Sequence, residues 1–343
     1  MAKGLFTQGM CVLFKQPVSL EKIQEALSSF ELIGVQESVV DNASPETLVM
    51  KFRPEVDGHL LVTPSTEKWP DDMGDPESTP DVFVAWSLGQ FGPLAFPGCL
   101  ERAAEQSWTW EEGEKAVAEH TCHVRLLISY VLGSETEEPD DSDSDDVVLI
   151  PDDYDSMAEL KFLMRAVSEL LELPEAICYF NPGGEVLRDQ TGLRQGLNFA
   201  WNYDLPPLDM WANVRLFRTE ERWALMDTVG MGQLDLPDME AVYDTNKYEP
   251  EDVERFLRNA SLYLMNGTEE FEDGDSADGP GDISWIALEC DDSLSDPPRE
   301  TIRWIPDDGS EPPENLLRRA EVDLDDDAFD EEPDDLDDEA FEA

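Results

Sequence analysis

Three runs of acidic residues cut this chain into pieces that can fold and pieces that cannot. Residues 134–146, 269–282 and 321–343 carry 8, 7 and 14 Asp or Glu side chains and no Lys or Arg. They hold too little apolar surface to offset the entropy of ordering, so two are expected as loops and the last as a disordered tail. Together they supply 29 of the 57 excess negative charges, which leaves 28 on the folded part. A field of that sign repels phosphate backbones and anionic lipid. Neither nucleic acid nor membrane is expected as a partner, and a protein with a basic surface is favoured.

The intervening chain is apolar enough to build a core, since 41% of the 343 residues are hydrophobic. Five widely spaced cysteines with no C-x-x-C pair suit free, mostly buried thiols in a reducing compartment. The first residues carry too short an apolar stretch for a signal peptide, and no run approaches the length of a spanning helix. The expectation is a cytoplasmic protein.

Hydrophobic periodicity places strands at 9–14, 48–52, 59–62, 82–86, 124–132 and 176–180. Ser19 is expected to cap a helix bearing Leu20, Ile23, Leu27 and Phe30. Two short helices are expected on either side of Trp108. Ser156 and Glu159 read as a capping box ahead of an apolar face of Leu160, Leu163, Met164, Val167, Leu170 and Leu171. Residues 211–217 and 223–229 form an expected hairpin, with further strands at 236–242, 284–290 and 301–305. Pro250 opens a helix that Gly267 can end. Irregular alternation with hairpin-like pairs predicts an α+β fold with mixed, largely antiparallel sheets. The strand–helix–strand start of each half allows two related halves. The expected division is an N-terminal α/β portion at 1–93, a main α+β domain at 94–306, and the acidic tail at 307–343.

Few constellations could carry chemistry. His120, Cys122 and His123 are candidate metal ligands by type, but neighbouring strand residues face opposite ways, so no metal is expected. His120, His123, Asp227, Asp238 and Glu240 are the candidate catalytic residues, as carboxylates whose pKa values burial could separate, together with imidazoles. Gly230-Met231-Gly232 opens like a dinucleotide loop, but Asp235 stands where a third glycine belongs, and Leu-Pro-Asp follows instead of a helix. No cofactor is expected. In the tail, Phe329, Leu336 and Phe341 are spaced among acids, a pattern suited to docking in a partner's groove.

Three phrases carry a family resemblance. They are the Trp-rich helical stretch and strand of residues 94–129, AVSELLELPEAICYFNPGGEVL, and WALMDTVGMGQLDLPDMEAVYD. Residues 94–305 resemble bacterial proteins of the family known as domain of unknown function 4261, with Trp108, His120, Gly230, Leu236, Pro237, Asp238 and Glu240 at the matching positions. The acidic run 134–146 and the tail depart from it. The resemblance implies one intracellular folded unit ending near residue 306 and brings no reaction with it. The function expected is therefore a non-catalytic interaction or regulatory module, such as a toxin-neutralising binder. A hydrolase using the carboxylates and histidines is the first alternative. An acidic mimic of nucleic acid is the second.

Overall fold

The computed structural model describes residues 3–37, 46–133, 149–219, 222–267 and 270–317. The acidic run 134–146 and Phe329, Leu336 and Phe341 lie outside the described residues.

The fold is α+β, built on two sheets. The first has seven strands: β1 (Gln8–Phe14), β2 (Leu32–Glu37), β3 (Glu46–Arg53), β4 (Gly58–Ser65), β5 (Cys122–Ser129), β6 (Ala176–Asn181) and β7 (Val186–Arg188). They run in the order β2-β3-β4-β5-β1-β6-β7, and every neighbouring pair is antiparallel. Residues from both sides of position 93 therefore share one sheet. The second has six strands: β8 (Asn213–Arg218), β9 (Trp223–Val229), β10 (Asp238–Asp244), β11 (Ser276–Gly279), β12 (Ile283–Cys290) and β13 (Thr301–Pro306). Its order is β11-β12-β13-β10-β9-β8, with β10 and β13 the parallel pair.

Both faces of the first sheet are covered. On one face Met10, Val12 and Phe14 of β1 and Val124, Leu126 and Ile128 of β5 meet α1 (Leu20–Ala26), α5 (Ser156–Leu170) and α6 (Gln190–Tyr203). On the other, Cys11, Leu13, Cys178 and Phe180 pack on Trp69 and on α2 (Pro80–Ser87), α3 (Cys99–Glu105) and α4 (Gly113–Glu119). This is why β1 and β5 are buried along their whole length. The remaining helices are α7 (Leu208–Trp211) and α8 (Pro250–Met265). The helix α8 lays Val253, Phe256, Leu257, Ala260 and Leu264 on one face of the second sheet, against Met226, Met239, Trp285 and Trp304.

Three local expectations change. Residues 82–86 are helical, because Pro80 fixes the first turn and Asp81 sits at the positive end of the helix dipole. A continuous apolar run alone does not separate a strand from a buried helix. The cap of α5 is Asp155, whose side chain accepts from the Ala158 N–H at 2.9 Å. Ser156 is the first helical residue, and Glu159 turns inward instead of reaching back. Part of the acidic run 269–282 is ordered as strand β11, paired with β12. The five cysteines are free, four of them buried.

Glu159 is 1% exposed and accepts a hydrogen bond from the Tyr130 hydroxyl at 2.6 Å. Burial pushes its carboxyl up to about 7, against the pull of that hydroxyl. The folded chain holds this proton more tightly than the unfolded chain. The stabilisation is complete below the unfolded carboxyl pKa of 4.5 and is lost as pH rises to about 7. That window corresponds to on the order of 3 kcal/mol. Unfolding free energies at pH 4.5 and pH 8 should therefore fall less for Glu159→Gln than for the wild type, by about that amount. Equal falls would show that Glu159 titrates normally.

Candidate functional site

The second sheet turns its other face to charge. Cross-strand register sets Arg215 of β8 opposite Asp227 of β9, Asp227 opposite Glu240 of β10, and Glu240 opposite Arg303 of β13. These four residues stand in one row across the sheet, each no more than 2% exposed. Alternation explains the placement. Val214, Met226, Ala241 and Ile302, one position before or after each of them, face α8.

Arginine and carboxylate meet at close range throughout. Arg215 grips Asp227 in two-point fashion, Nε to Oδ1 at 3.0 Å and Nη2 to Oδ2 at 2.7 Å. Its Nη1 donates to Glu185 at 2.9 Å and to the Asp296 carbonyl at 2.7 Å. Arg299 bridges Asp227 at 2.7 Å and Asp238 at 3.1 Å. Arg303 pairs with Glu240 at 2.8 Å, and Arg102 pairs with Glu185 at 2.6 Å. Four guanidiniums (Arg102, Arg215, Arg299, Arg303) thus balance four carboxylates (Glu185, Asp227, Asp238, Glu240). The segment 291–300 closes over them. The Leu294 N–H donates to Glu240 at 2.7 Å, and Ser295 donates to Asp227.

The balance decides the proton states. Burial would raise the Asp227 carboxyl, but Arg215 and Arg299 outweigh it and hold the group below its ordinary value. Burial wins at Asp238, against Arg299, the Thr228 hydroxyl and the N–H groups of Met231 and Gly230. It also wins at Glu240, against Arg303. Both are raised.

The face is joined to the first sheet through glycines. Glu185 lies at φ 50° in the turn between β6 and β7. The carbonyl of Trp211 accepts from Asn181 Nδ2 at 3.1 Å and Gln233 Nε2 at 2.8 Å. Gly230, at φ +126°, lets the backbone pass beside it, since a Cβ there would stand 2.6 Å from the Trp211 oxygen and 2.8 Å from Gly184 Cα. Gly230 thus serves close packing and the entry to a 3-10 turn at Met231–Leu234.

Of the candidate residues, Asp227, Asp238 and Glu240 come together in this one network. The histidines do not join it. His120 is buried at the C-terminal end of α4. Its Nδ1 bonds the Val117 carbonyl, and its Nε2 accepts from the Trp69 N–H at 3.0 Å. His123 is on the face of β5 that packs on Trp69, with Nδ1 3.0 Å from the Glu67 carbonyl, while Cys122 points into the opposite core. Among the described residues no group of three His, Cys, Asp or Glu side chains could hold a metal ion. The functional partners missed from sequence are the arginines and Glu185. An arginine flanked by strand apolar residues, as in Val214-Arg215-Leu216 and Ile302-Arg303-Trp304, is the signal that marks them.

A second feature is the C-terminal end of α6. Phe199, Trp201 and Tyr203 are 56%, 69% and 66% exposed, and Leu205 follows. The helix buries Leu193, Leu197 and Ala200, so among the described residues these aromatics have no covering layer. Cavities of about 450 and 540 Å³ flank them. One runs along α8 to Arg255 and Arg258, and the other along α5 to Lys161 and Arg165.

Removing Arg215 while leaving Asp227 and Glu185 in place should be severe. Arg215→Met is expected to lose about 3–5 kcal/mol in denaturant unfolding, because two buried carboxylates lose a partner. A loss under about 1 kcal/mol would mean the face is more hydrated than its burial implies.

No helix among the described residues is long and apolar enough to cross a membrane. No curated protein and no solved structure matches the chain. The family model of a domain of unknown function, DUF4261, matches residues 227–305, a narrower span than the resemblance at 94–305. That span begins at Asp227 and takes in Asp238, Glu240, Arg299 and Arg303, together with α8. Over residues 227–305, then, the chain is similar to the family known only as domain of unknown function DUF4261.

Proposed function

We propose that the protein is a non-catalytic protein-binding module whose contact surface is the exposed end of α6. The observation that carries this reading is the group of Phe199, Trp201 and Tyr203 on one helix, each more than half exposed. Tryptophan, tyrosine and arginine are the residues that most often dominate binding energy at interfaces. Here arginines 255 and 258 line the cavity beside Phe199, and Arg165 lines the one beside Trp201. Cavities on both sides of the helix suit apolar side chains from a partner. The net charge of −57 would steer a partner with a basic surface toward the molecule.

The acid network argues in the same direction. A general acid or base has to reach a substrate proton. Asp227 and Glu240 are each 0% exposed and held by arginine, and Asp238, which lines a cavity together with Arg299, is 3% exposed and paired with that arginine. Of the histidines that a hydrolase would pair with them, His123 belongs to the other sheet and His120 to the end of α4. The network is read as the rigid support of the module, not as its working site.

The test replaces Phe199, Trp201 and Tyr203 together by Ala. A photo-crosslinking residue at position 201 of the full chain should capture a basic protein from native lysate, and the same protein should be lost from pulldowns with the triple variant. Circular dichroism should stay unchanged, because these side chains cover little core. Equal recovery by wild type and variant would contradict the proposal.

A further inference from the structure

We infer that the acidic segment 323–342 of this chain docks, through its Leu and Phe side chains, in the cavity between α5 and α6 and covers Trp201. This rests on the reading of α6 as a contact surface: the segment is its cover while no partner is bound. Residues 323–330 read Asp-Leu-Asp-Asp-Asp-Ala-Phe-Asp, and residues 335–342 read Asp-Leu-Asp-Asp-Glu-Ala-Phe-Glu. Six of the eight positions are identical, and the other two exchange Asp for Glu. In so acidic a segment the acids would match by composition alone. Leu324 and Leu336, Ala328 and Ala340, and Phe329 and Phe341 would not fall at the same three positions by composition. A short apolar pattern repeated within solvating charge has the form of a docking segment, where a tail that only solubilises needs no such pattern.

The cavity measures about 540 Å³ and is walled by Leu197, Trp201, Leu205 and Pro207, with Lys161 and Arg165 among the lining residues. Lys161 and Arg165 are one turn apart on α5, and both are exposed. Neither is paired with a carboxylate among the described residues. The Arg165 guanidinium lies over the rings of Phe30 and Phe162, 5.4 and 5.9 Å from their centroids, which holds it in place without taking up its N–H donors. The cavity on the other side of α6 differs, since Arg258 is paired with Asp209 and Glu254, and Arg255 with Asp252. Glu169 and Asp204 also line the α5 side and leave it neutral. In a chain of net charge −57, an acidic segment with apolar anchors meets little repulsion at a neutral cavity and finds two cations for its carboxylates there.

The length of chain is sufficient. The described residues end at Leu317, whose carbonyl accepts from Arg303 Nη1 at 2.6 Å. From there, at roughly 3.3 Å per extended residue, the chain can span about 40 Å to Phe329 and about 80 Å to Phe341. A folded body of about 290 residues has a radius of gyration of about 19 Å, so the second copy of the pattern can pass round it. Tethering makes a weak contact enough. At an effective concentration of about 1 mM, a pattern with a dissociation constant of about 0.1 mM fills its site about 90% of the time. A partner with a basic surface would draw the same acids away and uncover Trp201.

Carbodiimide coupling of the purified full chain joins a lysine amine to a carboxylate only where the two touch. Mapped by mass spectrometry, coupling to residues 323–342 should concentrate at Lys161 over Lys15, Lys68 and Lys115, which are exposed as well. In an equimolar mixture of ¹⁵N-labelled and unlabelled protein, the Lys161 product should join like with like. Replacing Leu324, Phe329, Leu336 and Phe341 together by Ala keeps every charge and should lower the Lys161 product at least about fivefold, through the lost apolar burial. The proposal is overturned if the segment does not couple to Lys161 or couples evenly across the exposed lysines. It is also overturned if the product joins labelled to unlabelled chains, or if the four-Ala variant couples at Lys161 as the wild type does. No partner is present in this experiment. Its failure leaves the lysate capture free to find a partner at α6, and failure of that capture leaves the Lys161 product in place.

Discussion

Arg215 is a cation that folding removes from water. A guanidinium has five N–H donors. In this chain they meet Asp227 twice, Glu185, the Asp296 carbonyl and Ser295 Oγ, all between 2.7 and 3.0 Å. Asp227 and Ser295 are in the second sheet or its covering segment. Glu185 is in a turn of the first sheet. One side chain therefore ties both sheets and the segment 291–300 to one point. The backbone arrangement around it is fixed by the same requirement. Gly230 and Gly184 approach within contact of Trp211, and Gln233 and Asn181 satisfy the carbonyl left between them.

A face of this kind is costly to assemble and severe to disturb. Desolvating charges removes most of what their attraction returns, so such pairs often add little net stability over an apolar core. What they add is intolerance of misplacement. Each carboxylate has a guanidinium within about 3 Å, and loss of one partner strands the other. Four negative and four positive groups leave the face nearly neutral, in a protein whose surface is strongly acidic. This separates two populations of acids that the sequence does not separate. Those on the solvent side set the long-range field. Those on the inner face of the second sheet hold it in shape.

The fold was largely legible because apolar spacing was clear. The apolar face of α5, from Leu160 to Leu171, and the strands around 124–128 and 223–229 follow the expected periods. The strand expectation failed at 82–86, where a short helix is buried on only part of its surface and its apolar residues are consecutive. The cap of α5 slipped by one residue because Asp155 and Ser156 are both good caps, and only the inward pull on Glu159 decides between them. In the site, Asp238 and Glu240 were visible as acids two residues apart on one strand, with Asp227 on the strand before. Their arginine partners come from positions 12 to 72 residues away, and register across strands cannot be read from local pattern. The exposed aromatics of α6 were hidden for a different reason. Phe199, Trp201 and Tyr203 have the composition of a core, and only the packed structure tells which apolar residues were left outside.

The central claim is that the Arg215 network makes the two sheets one cooperative unit. Native-state hydrogen exchange across a denaturant series tests it most directly, by comparing amides of β1 and β5 with those of β9 and β10. The account predicts that both sets converge on a single opening free energy in the wild type and separate in Arg215→Met, with the second sheet opening first. Two distinct opening free energies in the wild type, unchanged by Arg215→Met, would contradict it.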